Sequence, residues 1–207
     1  FASEQGCFVR QGKIICRRDG REQTVVPVSS IALPGRHNLE NVLAAVTVAM
    51  VLGVPRSAIR HVLQQFSGVA GRLEKMAVKR GITYYNDTTA TMPEATITAI
   101  TTLDISRDKR LVLIAGGFNK GLDYTTLAAV ISRRVKAVVI LPGTASRRLK
   151  KLLIDRGYWA VSEVSTMRQA VDQARQLATT GDTILLSPAA SSTGEFRNAT
   201  ERGALFC

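Results

Sequence analysis

Two segments hold the residue types from which an anion site is made: Asn86-Asp87-Thr88-Thr89-Ala90-Thr91-Met92-Pro93-Glu94-Ala95-Thr96 and Leu186-Ser187-Pro188-Ala189-Ala190-Ser191-Ser192-Thr193-Gly194-Glu195-Phe196-Arg197-Asn198. Each follows an apolar run and opens toward a helix. Each gathers hydroxyls and small residues, where backbone N–H groups can face a carboxylate or phosphate at the end of a strand. In the first, Thr91 stands ahead of a helix begun by Pro93, either as its cap or as a ligand contact. In the second, the hydroxyls precede Phe196, where a helix start adds a positive dipole end; they serve equally well as turn formers. A third segment, Gly116-Gly117-Phe118-Asn119-Lys120-Gly121-Leu122-Asp123, offers glycines that let backbone approach a ligand, and Lys120 as a cation. The plain alternative is a strand-to-helix turn with a solvated lysine. The G-x-x-x-x-G-K-[ST] spacing of a phosphate loop is absent. In a fourth segment, Gly35-Arg36-His37-Asn38-Leu39-Glu40-Asn41, Asn38 and Asn41 share one face of a helical turn. They could clasp a purine or ribose beside His37, or Asn38 could cap the helix. His61 is expected to face solvent. No Ser–His–Asp or paired-carboxylate arrangement stands out, no catalytic residue is assigned, and two histidines are too few for a typical zinc site.

The elements that must position these segments follow from periodicity. Residues 1–32 read as short strands, with turns at Gln11-Gly12 and Asp19-Gly20. Leu39, Val42, Leu43, Val46 and Met50 lie on one face of a helix that ends at Gly53 and Pro55. Ile59, Val62, Leu63 and Phe66 mark a second helix, closed by Gly68, and Gly68-Val69-Ala70-Gly71 reads as a hinge. Beyond it strands and helices alternate. Strands are expected at Ile82 to Tyr85, Leu111 to Ala115, Val135 to Leu141, around Val161, and at Thr183 to Leu186. Helices are expected at Pro93 to Leu103, Leu122 to Ser132, Ala145 to Arg156, Met167 to Ala178, and from Phe196 onward. Continuous apolar strands separated by helices predict an α/β fold with a mostly parallel sheet covered on both faces.

Composition narrows the class. With 45% apolar and 21% charged residues, the 207-residue chain can bury a core, and no apolar run reaches the ~18 residues of a membrane helix. The chain begins at Phe1 rather than Met and stops at Cys207 without a polar tail, which suggests a fragment. Cys7, Cys16 and Cys207 show no metal or disulfide pattern, so a reducing cytoplasm is expected. The net charge of +12 raises nucleic acid as a partner. The basic residues come as small groups (Arg17-Arg18, Arg107 to Arg110, Arg133-Arg134, Arg147-Arg148, Lys150-Lys151), aromatics make up only 5%, and no stacking motif appears. A basic surface facing acidic small substrates or water is the simpler reading, without nucleic-acid or membrane partners.

Taken in order along nearly the whole chain, these segments resemble the Mur ligase family of peptidoglycan synthesis, most closely its D-glutamate-adding members. The resemblance is carried by Gly35 to Ala45, Gly71-Arg72-Leu73-Glu74, Asn86 to Thr91, Gly116 to Asp123, Leu186 to Ser192, Phe196, and Glu201-Arg202-Gly203. It implies that residues 1–69 are the tail of a central ATPase domain and residues 70–207 a Rossmann-like C-terminal domain that brings the amino acid. In the family, ATP with Mg2+ phosphorylates the carboxylate of a UDP-sugar substrate, here UDP-N-acetylmuramoyl-L-alanine. The amine of D-glutamate then attacks the acyl phosphate to form an amide. Such chemistry depends on alignment and charge neutralisation.

By resemblance, Asn38, Asn41, Arg72 and Asp87 contact ATP. Thr91, Lys120 and Ser192 hold the two carboxylates of D-glutamate, assisted by backbone N–H groups around Thr193 and Ala199. The sequence departs from the family pattern at four places: Gly71 stands for a histidine, Thr89 for a lysine, Ala190 for a cysteine and Ala199 for an aromatic residue. The phosphate loop and the magnesium ligands are expected upstream of Phe1, so the isolated chain is expected not to turn over. The full-length ligase is expected to be a cytoplasmic monomer. Rival readings are a related ligase that adds another amino acid (folylpolyglutamate synthase adds L-glutamate), a basic nucleic-acid-binding module, and an inert fragment.

Overall fold

The computed structural model describes residues 5–33, 35–103 and 108–207. Arg107, named above, lies outside them, as do the side chains of Arg36 and His37. The chain packs as two units, Phe1–Gly68 and Val69–Cys207.

The first unit holds a three-stranded antiparallel sheet, β1 (Gly6–Arg10), β2 (Lys13–Arg18) and β3 (Arg21–Pro27), with helices α1 (Arg36–Val51) and α2 (Arg56–Gln65). Both turn signals form. Gln11 and Gly12 take φ of 50° and 70°, and Asp19 and Gly20 take 50° and 73°, the paired positive values of a two-residue hairpin turn. The core joins Ile14, Val25 and Val26 of the sheet to Val42, Val46, Ile59 and Leu63 of the helices. α1 starts at Arg36 after Gly35, so Asn38 is a residue of the first turn and not the cap. The expectation of no disulfide is corrected: Cys7 and Cys16 are directly opposed across β1 and β2 and are bonded. The reason is register. The two cysteines stand symmetrically about the Gln11-Gly12 turn, so closing that hairpin places them face to face.

The second unit is a six-stranded sheet in the order β4-β5-β9-β6-β7-β8. β4 (Glu74–Lys79) runs antiparallel to β5 (Ile82–Asn86). β9 (Thr183–Leu186), β6 (Leu111–Ala115), β7 (Val135–Ile140) and β8 (Val161–Glu163) continue parallel to β5. The connecting helices are α3 (Pro93–Leu103), α4 (Thr125–Arg134), α5 (Thr144–Ile154) and α6 (Met167–Leu177), and α7 (Ala199–Phe206) follows β9. Alternate strand residues feed two cores. Leu111, Leu113, Val138, Ile140 and Leu185 pack against Ile100, Leu127, Ile131, Leu149 and Leu153 of α3, α4 and α5. Val112, Ile114, Val139, Ile184 and Leu186 pack against Met167, Ala170 and Ala174 of α6 and Phe206 of α7.

This order decides where a ligand can enter. β9 sits between β5 and β6. The chain leaves β5 and β6 toward one face of the sheet and leaves β9 toward the other. Loops that diverge at neighbouring strand ends leave a crevice at the carboxyl edge. The three segments singled out above are those loops. α4 starts three residues later than its periodicity predicts. Asn119 accepts from the N–H groups of Gly121 and Leu122, and Asp123 from that of Thr125, so local side-chain bonds keep the loop out of the helix. α7 likewise starts at Ala199, capped by the Asn198 side chain, and not at Phe196.

Candidate ligand site at the carboxyl edge of the sheet

Backbone bonds bring the three loops together. Gly116 N–H donates to the Pro188 carbonyl (2.9 Å), Ala189 N–H to the Ala90 carbonyl (2.9 Å), and Phe118 and Ser191 exchange a reciprocal pair (3.0 and 3.1 Å). The Tyr124 hydroxyl donates to the Ala189 carbonyl (3.1 Å). Thr91 adjoins Ala90, Lys120 lies two residues past Phe118, and Ser192 follows Ser191. The three residues expected to hold an amino acid therefore sit on three strand-end loops laced to one another. The glycines have a different task from the one expected. A Cβ at Gly117 would stand 2.3 Å from the Ser191 carbonyl oxygen, and one at Gly116 would stand 2.7 Å from that of Leu141. At 116 and 117 it is the protein's own backbone that comes close.

The hydroxyls divide into two groups. The Thr88 hydroxyl donates to the Ala199 carbonyl (2.7 Å), and that of Thr89 to the Gly71 carbonyl (3.0 Å). Ser187 donates to the Asp87 carboxylate (2.7 Å), and Ser191 bonds the Thr193 hydroxyl (2.8 Å). Those groups serve the fold. The hydroxyls of Thr91 and Ser192 and the ammonium of Lys120 make no hydrogen bond or ion pair with a described residue. Thr91 therefore does not cap α3 through its side chain. Ser192 is only 9% exposed, and its side chain has no partner among the described residues. Thr193 and Ala199 are engaged: Thr193 N–H donates to Ser191 Oγ (3.3 Å), and Ala199 offers the carbonyl that Thr88 reaches. As the first residue of α7, Ala199 has an N–H outside the helix's own ladder.

The residues expected at the nucleotide fall in both units. Asn38, half-buried and partnered, and Asn41, exposed, lie on α1 of the first. Arg72 and Asp87 belong to the second. Asp87 is buried and accepts from Leu73 N–H (3.0 Å) and from Ser187 (2.7 Å). Burial pushes its pKa up to about 6, against the opposing effects of those two bonds and of the nearby Arg72 charge. Arg72 itself is exposed. Among the described residues no three His, Cys, Asp or Glu come together as a metal-binding group, so none of them is assigned to Mg2+.

Arg202 emerges as the organiser of the edge, a role that periodicity did not reveal. It is fully buried on α7 and donates from Nε to Thr88 Oγ1 (3.1 Å), from Nη1 to the Ala190 carbonyl (3.0 Å) and from Nη2 to the Thr88 carbonyl (2.7 Å). One side chain thus joins the loops after β5 and β9. Burial lowers its pKa to about 10, and none of its described partners is a carboxylate. Gly203 beside it lets α7 approach, since a Cβ there would stand 2.7 Å from Thr88 Cγ2.

Comparison with known proteins agrees with this architecture. The family profile described as Mur ligase, glutamate ligase domain, matches residues 71–190. The chain belongs to the Mur ligase family. A curated relative from Symbiobacterium thermophilum, named UDP-N-acetylmuramoylalanine--D-glutamate ligase, is 41% identical over 200 residues, covering 96% of this chain and 43% of its own. Its namesake from Lachnoclostridium phytofermentans is 37% identical over 203 residues, covering 98% and 44%. This Mur ligase chain thus spans under half the length of the curated relatives it matches. Among solved structures, folylpolyglutamate synthase of Mycobacterium tuberculosis, complexed with ADP and AMPPCP, superposes with a TM-score of 0.68 at 20% identity, over 97% of this chain and 46% of that one. The UDP-N-acetylmuramate-alanine ligase of Thermotoga maritima gives 0.64 at 16% identity, over 95% and 42%. These likenesses show the shared fold.

Proposed function

We propose that this chain is the amino-acid-binding part, with the nucleotide-facing end, of an ATP-dependent ligase that joins D-glutamate to UDP-N-acetylmuramoyl-L-alanine. One observation carries the reading. Among the described residues, Thr91, Lys120 and Ser192 have no partner for their polar ends, on loops laced together at the carboxyl edge, while neighbouring hydroxyls are consumed by the fold. Two hydroxyls and one ammonium suit a small dicarboxylate. The names of the curated relatives favour D-glutamate among such acids.

In this reading Lys120 neutralises one carboxylate and Thr91 and Ser192 donate to the acid, which holds its amine still for attack on an activated carbonyl. ATP, when bound, supplies the phosphoryl group that activates the UDP-sugar carboxylate. Arg72 faces its phosphates, with Asp87 holding the turn that carries it. Residues 1–69 are read as the end of the central domain, with Asn38 and Asn41 on α1 as its nucleotide contacts. The small-molecule partners are D-glutamate, ATP and the UDP-sugar peptide.

The test is a calorimetric panel of D-glutamate, L-glutamate, L-alanine and meso-diaminopimelate. D-Glutamate should bind best, and Lys120→Ala should weaken it by ~1–3 kcal/mol, the value of a charged hydrogen bond. Equal binding of D-glutamate by Lys120→Ala and the parent would remove Lys120 from the site. Preference for another member of the panel would change the substrate.

A further inference from the structure

Arg72 is exposed, yet the turn that carries it is fixed at each residue. Gly71 N–H donates to the Glu74 carboxylate (2.7 Å), Arg72 N–H to the Val69 carbonyl (3.0 Å), and Leu73 N–H to Asp87 (3.0 Å). Leu73 also buries its side chain in the core beneath α3 and α4. The Gly71 carbonyl accepts twice from one residue, from Thr89 N–H (3.0 Å) and from Thr89 Oγ1 (3.0 Å). The shape so held is not one the chain adopts readily. Gly71 has φ of 72° and Leu73 of 46°, which places Arg72 between two left-handed residues, the second a leucine. A Cβ at Gly71 would come within 2.8 Å of Thr88 Cγ2, so a larger residue there would have to displace that methyl.

We infer that Thr89 is the positioning residue for Arg72: by gripping the Gly71 carbonyl it fixes the turn and aims the guanidinium at the nucleotide phosphates. The inference rests on the nucleotide reading of Arg72 given above. Thr89 touches no substrate in this account and acts through the turn. Two of the positions at which the sequence leaves the family pattern, Gly71 and Thr89, thereby become one contact. The short threonine hydroxyl reaches a carbonyl that the glycine backbone presents. Arg72 is left as the cation of this turn and depends on the turn for its direction.

The experiment titrates ATP, and separately D-glutamate, into the 207-residue chain and its Arg72→Ala, Thr89→Val, Thr89→Ala and Thr89→Ser variants by calorimetry. Arg72→Ala should weaken ATP binding. Thr89→Val and Thr89→Ala, which keep the N–H bond and lose the hydroxyl bond, should weaken ATP about three- to tenfold and leave D-glutamate affinity unchanged. Thr89→Ser should restore ATP affinity. If Arg72→Ala weakens ATP while both hydroxyl-free variants match the parent, the inference fails and the nucleotide reading stands. If the hydroxyl-free variants weaken both ligands alike, or serine fails to rescue, Thr89 is a general support of the fold and the inference also fails. If Arg72→Ala binds ATP as well as the parent, the nucleotide reading itself is wrong and the inference falls with it.

Discussion

Ser187 and Ser192 stand on one loop, are both nearly buried, and should respond oppositely to loss of their hydroxyls. Ser187 is fully buried, donates to the Asp87 carboxylate at 2.7 Å and lies 2.9 Å from the Thr96 hydroxyl. Ser187→Ala removes a bond to a charged group and leaves one Asp87 oxygen in the interior without its donor. That should cost about 2–3 kcal/mol of stability. At roughly 2–4 °C per kcal/mol for a chain of this size, the melting temperature of the second unit should fall by about 4–12 °C. Ser192 contributes no side-chain bond to the described structure, so Ser192→Ala should change stability by no more than about 0.5 kcal/mol. It should instead weaken D-glutamate binding by about 1.5–3 kcal/mol, the value of a hydrogen bond to a carboxylate, or roughly 10- to 150-fold. Differential scanning calorimetry reads the first effect and isothermal titration the second. The reasoning is refuted if Ser192→Ala lowers the melting temperature as much as Ser187→Ala while binding D-glutamate like the parent. The unspent hydroxyl would then be a feature of the fold and not of a site.

Asp87 should give the second unit a distinct pH dependence. Its folded pKa of about 6 exceeds its ordinary 3.8, so between those values the native state holds a proton that the unfolded chain has released. The stability it contributes is therefore full below pH 3.8 and lost as pH rises through about 6, a change of about 3 kcal/mol. Urea unfolding of the parent and of Asp87→Asn from pH 4 to 7 should show that decline only in the parent; parallel curves would contradict the assignment. Arg202→Lys keeps a charge but has one nitrogen to reach acceptors that Arg202 meets with three, and should cost about 2–4 kcal/mol and loosen the loops after β5 and β9, read as faster amide exchange at Thr88 and Ala190. An unchanged melting temperature would mean that water replaces the lost bonds.

The strands were legible because the parallel sheet is covered on both faces, which forces apolar runs such as Leu111 to Ala115 and Val135 to Ile140. β4 was missed for the converse reason: it lies on the edge, largely exposed, with Lys75 and Lys79 in its sequence, so no apolar pattern marks it. Residue type and strand-end position marked the three loops, and the resemblance singled out Thr91, Lys120 and Ser192; which hydroxyls remain unspent depends on partners as remote as Ala199 for Thr88. The Cys7–Cys16 bond was readable in principle from the symmetry of the hairpin about Gln11-Gly12. Arg202 was hidden because an arginine on a short helix looks solvated, and only the adjoining Gly203, which admits the loop after β5, hinted otherwise.

The most direct measurement is a crystal structure of the chain with D-glutamate. The account predicts one carboxylate within hydrogen-bond distance of Lys120 Nζ and the acid in contact with Thr91 Oγ1 and Ser192 Oγ at the carboxyl edge. D-Glutamate bound elsewhere, or bound there with those three groups turned away, would contradict it.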